Sequence, residues 1–253
     1  MRLSIGAIVG VLRNPRVQAV MRKEFREFRR TRNILITMIA LPAVSLISLT
    51  ATTISLPKDA PPGVLHIAVA QVLLFFLLIP MILPTTIASY SIIGERQQGT
   101  LEPVLGTPVT DRELLAGKVT AAIVPSILLS WLLFLAYAGI AAALAPPAVL
   151  RGLLSVDQLV AEVALAPALA GLSIVVSVVI SMRSSDVRVA QQLSGLAALP
   201  ILGLVAIVSF GKITPSPELY AGLAAAVLVL DLVGWRFAVG QFSRERLVAS
   251  ISS

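Results

Sequence analysis

The chain has 253 residues, 57% of them hydrophobic and only 13% charged, against about 25% charge in an ordinary soluble domain. So few polar side chains cannot cover a water-facing surface of this size, which excludes a soluble globular protein and points to burial in lipid. The formal charge of +7 would suggest nucleic acid in a soluble chain, but here the basic residues sit between apolar runs and read as membrane topology.

At the N-terminus, Arg2 followed by Leu3 to Leu12 has the look of a signal-peptide core. Arg13 follows at once, and cleavage would export an Arg-rich segment, so that reading is rejected. The next stretch, NPRVQAVMRKEFREFRRTR from Asn14 to Arg32, reads as a basic amphipathic helix. Asn14 is a good N-cap and Pro15 suits the first helical position. Val17, Val20, Met21, Phe25 and Phe28 recur at helical spacing, and Arg22, Lys23, Arg26, Arg29 and Arg30 take the other faces. Such a helix suits the inner leaflet, as a topology anchor, as a platform for a cytoplasmic partner, or as both.

Six apolar stretches are long enough to cross a bilayer: Asn33 to Leu56, Gly63 to Ile93, Val119 to Ala145, Leu159 to Met182, Ala190 to Gly211 and Leu219 to Gln241. A bilayer leaves no partner for loose backbone groups, so they are expected to be helices, and they lack the alternation of a barrel. The predicted fold is therefore an all-α integral membrane protein. It comprises a cytoplasmic segment 1–32, a six-helix transmembrane domain 33–241 and a cytoplasmic tail 242–253. With the N-terminus inside, seventeen basic residues fall on cytoplasmic segments, and only Lys58, Arg151 and Lys212 fall outside. Both termini are thus expected in the cytoplasm.

Between the second and third spans lies a long loop, GERQQGTLEPVLGTPVTDRELLAGK, from Gly94 to Lys118. Gly99 can end the preceding helix. Thr100 to Leu105 can form one short helix capped by Thr100, which Gly106, Thr107 and Pro108 break. Thr110 and Glu113 form a capping box that starts the helix feeding the third span. The loop reads as a folded elbow, and a folded elbow can transmit force where a floppy linker cannot.

Within the spans, prolines occur at Pro42, Pro80, Pro84, Pro125, Pro167 and Pro200, and each can kink its helix. Ser173, Ser177 and Ser181 share one face of the fourth span, and close helix packing is the expected use. Gln71, Ser126 and Ser130 are read the same way, and His66 as an interfacial residue. Asp231 is read as the one acid well inside a span: a possible intramembrane polar site, with a structural pairing and an ion site standing about equal.

The Gly94 to Lys118 loop resembles the hallmark of the membrane subunits of ATP-binding-cassette transporters of the type-2 (exporter) permease class. The KEFRE run at Lys23 to Glu27 and FSRERL at Phe242 to Leu247 are similar features, and the span count and order extend the resemblance along the chain. The resemblance implies a permease subunit that forms the export pathway, pairs with a second permease of the same or related kind, and docks two copies of a separate ATPase. ATP and Mg would sit on that ATPase, and this chain would carry no cofactor and no catalytic or metal site. It further implies an ATPase-coupling interface at Glu95, Arg96, Gly99, Thr100, Leu101, Glu102, Pro103, Thr107 and Pro108. The connecting helix would present Arg22, Lys23, Glu24, Phe25 and Arg26 to the same partner. The implied location is a bacterial plasma membrane. Larger exporters of related architecture carry a re-entrant hairpin between the last two spans; here only Lys212 to Glu218 remains outside.

The chain offers little to competing functions. There is no cysteine, and the single histidine, His66, cannot build a multi-histidine metal site. A phosphate loop would read GxxxxGK[ST]; the two Gly-Lys pairs, Gly117-Lys118 and Gly211-Lys212, are followed by Val119 and Ile213. LSG at Leu193 to Gly195 lies in an apolar span and is a chance match. No convergent nucleophile, metal or acid–base set is apparent for an enzyme. An ion-coupled secondary transporter, the alternative reading, usually needs several ionisable groups at mid-membrane, and Asp231 stands almost alone.

Overall fold

The computed structural model describes residues 13–57, 61–97, 108–200, 203–204, 207 and 216–241. Helix α1 is Pro15–Phe28, capped by Asn14, whose side chain accepts from the Arg16 N–H at 3.0 Å. Helix α2 is Arg32–Ile54. Helix α3 is Pro62–Ser89, continued by a wide π-turn at Tyr90–Gly94 and a last turn at Glu95–Gln97. Helix α4, Asp111–Leu144, begins well before the apolar run because the expected capping box forms: Thr110 accepts from the Glu113 N–H, and Glu113 accepts from the Thr110 N–H at 2.8 Å. The short α5, Pro147–Leu153, leads into α6, Val156–Ser181, whose first turn, Val156–Val160, is followed by a second π-turn at Ala161–Leu165. Helix α7 is Val187–Gly195, capped by Asp186 and tightening at Leu196–Ala198, and α8 is Pro217–Gln241.

The chain is an all-α membrane protein, and α2, α3, α4, α6 and α8 are each long and apolar enough to cross a bilayer. The fifth predicted span, Ala190 to Gly211, is described at 190–200, 203–204 and 207, and the rest of it lies outside the described residues. Its described part starts earlier, at Val187, where Asp186 supplies the cap. Helix α3 is the centre of the bundle: its spanning stretch is 83% buried inside the protein, against 11% for α8. One apolar cluster (Phe76, Leu83, Phe134, Tyr137, Leu49) knits α3 to α4 and α2, and another (Leu77, Met81, Leu165, Leu169, Tyr220) knits it to α6 and α8. The Thr53 hydroxyl meets the Tyr137 hydroxyl across α2 and α4.

Prolines at the centre of the bundle have a specific consequence. Pro80 has no N–H for the carbonyl of Phe76, and Pro84 has none for Pro80. In hydrocarbon no water replaces the missing donors. Neighbouring serines come within reach: Ser130 of α4, 2.7 Å from Glu162 Oε1, lies 3.4 Å from the Phe76 carbonyl, and Ser173 of α6, which donates to the Ala170 carbonyl at 3.0 Å, lies 3.4 Å from that of Pro80. One helical turn on, Ser177 donates to the Thr85 carbonyl at 3.1 Å and meets Ser89 Oγ at 3.2 Å. The serine face of α6 is thus buried, and Ser173 and Ser177 pack against the proline-bearing α3, as its spacing suggested. Pro167 follows directly on the π-turn of α6, whose wider winding relieves the clash a proline makes with the preceding turn.

Candidate functional site

The site is built where α1 crosses the ends of α3 and α4. The apolar face of α1 is covered by the bundle rather than turned to lipid: Val17, Val20 and Phe28 are buried, and Val20 and Phe28 join Leu114, Leu115 and Ala121 of α4. Phe25 is partly buried and packs edge-on to Phe28, with ring centroids 6.0 Å apart. Gly117 permits the close crossing, since a Cβ there would sit 2.6 Å from Val20 Cγ1 and 3.3 Å from the Val17 carbonyl.

At the middle of this contact lies a buried charge cluster. Lys118 of α4 is 5% exposed. Its Nζ lies 2.8 Å from Glu24 Oε1 of α1 and 2.8 Å from Glu95 Oε2 at the end of α3. It also donates to Ser91 Oγ at 2.9 Å and to the Ser91 carbonyl at 3.0 Å. Ser91, inside the π-turn, donates to Glu24 Oε2 at 2.6 Å. Lys23 closes the outer side, paired with Glu95 and, at 3.0 Å, with Glu27. Glu24, Glu27 and Glu95 converge closely enough for a metal ion, but Lys118 pairs with Glu24 and Glu95, and Lys23 with all three. The chain's own ammonium groups therefore supply the positive charge there. Burial alone would raise the Glu24 carboxyl; Lys118 and Lys23, with hydrogen bonds from Lys118 and Ser91, outweigh it and hold the carboxyl below its ordinary value.

The other end of α1 is fixed to the far side of the same loop. Asn14 donates to Glu113 Oε1 at 2.8 Å, and Arg16 approaches Glu113 Oε2 at 3.6 Å. Glu113 therefore serves the capping box of α4 and the N-terminus of α1 together. Gln97 adds a tie at the end of α3, donating to the Ser185 carbonyl beyond α6 at 2.9 Å. Both stems of the loop, Glu95–Gln97 before it and Thr110–Glu113 after it, are consequently held to neighbouring elements.

Of the residues that the sequence singles out, Glu95, Lys23 and Glu24 meet in the cluster, while Arg22 and Arg26 lie exposed on the other side of α1. Arg96 is in the last turn of α3, and Pro108 is exposed just before α4. Gly99, Thr100, Leu101, Glu102, Pro103 and Thr107, with the expected short helix at Thr100 to Leu105, lie outside the described residues. Sequence reading missed the role of Lys118, counting it only as a topology charge. The available signal was a lysine four residues past Leu114, inside an apolar helix.

The reading of Asp231 as the one acid well inside a span is corrected. Glu162 lies within α6 at 2% exposure, and its position in the run LVAEVAL was the overlooked signal. Asp231 itself packs on Gly171 of α6, where a Cβ would fall 2.4 Å from its Oδ2. Gly234 makes a similar crossing on Val175, so α6 and α8 lie in close contact.

A family model described as ABC-2 family transporter protein matches residues 20–190, a stretch that runs from α1 through the cluster and the loop to α7. No curated protein matches the chain.

Proposed function

The chain belongs to the ABC-2 transporter family and is a multi-pass permease, and on that premise we propose that it forms the export pathway of a complex in which a separate ATPase drives transport through the loop between α3 and α4. One observation carries this reading: α1 is bonded at its N-terminus to Glu113 and through Lys23 to Glu95, on the two stems of that loop. A push on the loop reaches α3 and α4 through a braced base, whereas an unbraced loop would absorb it. The complex contains two permeases and two ATPase subunits, the ATPases hold ATP and Mg, and the loop, both termini and α1 face the cytoplasm of a bacterial cell.

The coupling test uses the loop itself. Glu102→Lys reverses a charge available for pairing with a basic group on the ATPase, an effect of roughly 1–3 kcal/mol on docking where the pair is partly desolvated. Pro103→Gly loosens the loop. Both variants should reach the membrane at the normal level, with reduced ATPase co-purification for the first and reduced transport for both. Wild-type transport by both would remove the loop from the mechanism. Orientation has its own check: single cysteines at Asp59, Arg151 and Ser216 should react with an impermeant thiol reagent from outside, and one at Gln98 should not. Outside labelling at Gln98 would invert the topology.

A further inference from the structure

Glu162 has no part in the coupling site, yet its surroundings are specific. It sits in the π-turn of α6, ahead of Pro167. Its Oε1 is 2.7 Å from Ser130 Oγ of α4, and its main-chain carbonyl accepts from the Trp131 indole N–H at 3.1 Å. Its Oε2 is buried with no hydrogen-bond partner among the described residues, and none of the ion pairs there reaches it. The titratable and charged groups on the elements around it are Asp157 on α6, Asp111, Arg112, Glu113, Lys118 and Tyr137 on α4, Glu218, Tyr220, Asp231 and Arg236 on α8, and His66 on α3.

Counting protons decides the state of this group. Ser130 has one hydroxyl proton and two acceptors in reach, Glu162 Oε1 and the Phe76 carbonyl that Pro80 deprives of its helical donor. With Glu162 ionised, Ser130 must donate to the carboxylate. The Phe76 carbonyl then loses its serine donor, and the charged Oε2 has no hydrogen-bond partner among the described residues, a costly arrangement inside a membrane helix bundle. With Glu162 protonated, its O–H donates to Ser130 Oγ and Ser130 donates to the Phe76 carbonyl. One neutral carboxyl oxygen is left over, and no charge is buried.

We propose that Glu162 is a proton-binding site of this permease, held neutral as the head of a hydrogen-bonded chain through Ser130 to the Phe76 carbonyl that fastens α6 and α4 to the proline-bearing turn of α3. Loss of the proton from the carboxyl O–H turns Ser130 back to the carboxylate and releases the Phe76 carbonyl. Proton occupancy therefore sets how firmly the π-turn end of α6 is held to the centre of the bundle. This proposal does not depend on ATPase coupling.

The test is infrared spectroscopy and thermal unfolding of the full chain in lipid nanodiscs at neutral pH. The wild type minus Glu162→Gln difference spectrum should contain a protonated-carboxyl stretching band, and Ser130→Ala should move that band to the position of an acid that has lost its acceptor. Glu162→Gln should unfold near the wild-type temperature, because its amide N–H donates to Ser130 in place of the acid. Glu162→Ala should unfold lower by about 5 °C. A difference spectrum showing a carboxylate in place of the acid would overturn the proposal. So would a Glu162→Gln protein as unstable as Glu162→Ala, or a band indifferent to Ser130→Ala.

Discussion

Lys118→Met is expected to destabilise the protein by about 3–5 kcal/mol, the usual cost of removing one partner from a buried ion network. Lys118 Nζ lies 2.8 Å from both Glu24 Oε1 and Glu95 Oε2. Without it, two buried carboxylates face each other across α1 and α3 with only the half-exposed Lys23 in reach, and Ser91 loses a donor to its carbonyl. Helix α1 should lift from the bundle, and transport and ATPase co-purification should fall together. The triple variant Glu24→Gln, Glu95→Gln, Lys118→Met removes the repulsion along with the attraction, so it should recover most of the lost stability. Thermal unfolding of the three proteins in one detergent measures this. A Lys118→Met protein as stable as the wild type would show that the cluster does not hold α1. The pH dependence follows in sign. The Glu24 carboxyl is held below its ordinary value of 4.5, so its stabilisation is fully present above that value and is lost as pH falls through the lowered one. At neutral pH the lock is closed, and acid opens it.

Gly117→Ala is the second large effect, expected to cost about 1–3 kcal/mol by overpacking. The added methyl would meet Val20 Cγ1 at 2.6 Å and Val20 Cβ at 2.7 Å. Val20 lies between two ties of this helix, so α1 cannot move aside without straining its bonds to Glu113 and Glu95. The matched control is Gly139→Ala in the same helix, where nothing lies within 4 Å of the new atom. That change should be neutral, or stabilising by roughly 0.5–1 kcal/mol through helix propensity. Comparing the two unfolding temperatures, with transport alongside, isolates the contact between α1 and α4. Equal effects at both positions would mean that α1 does not pack closely on α4.

Much of this molecule was legible in the sequence because the relevant forces act locally. Hydropathy over some twenty residues sets which segments cross a bilayer, and five of the six expected spans are helices of sufficient length. The caps at Asn14 and Thr110 are bonds between residues at most three apart, so their spacing announced them. The loop string from Gly94 to Lys118 pointed to the family that the match over residues 20–190 establishes.

Only the tertiary structure decided the chemistry of the interior. Glu24 and Lys118 are 94 residues apart, Lys23 and Glu95 are 72 apart, and Ser173 and Pro80 are 93 apart. Such pairs have no sequence period, because they depend on which faces two helices turn to each other. Lys118 therefore read as a topology charge, when burial makes it the centre of a lock. Pro80 and Pro84 read as kinks, when their missing donors select the serines that face them. Glu162 read as part of an apolar run, since hydropathy averages over a span. A bilayer interior supplies no water to satisfy a single polar atom, so the packed helices must supply the partner, and their arrangement alone determines which one.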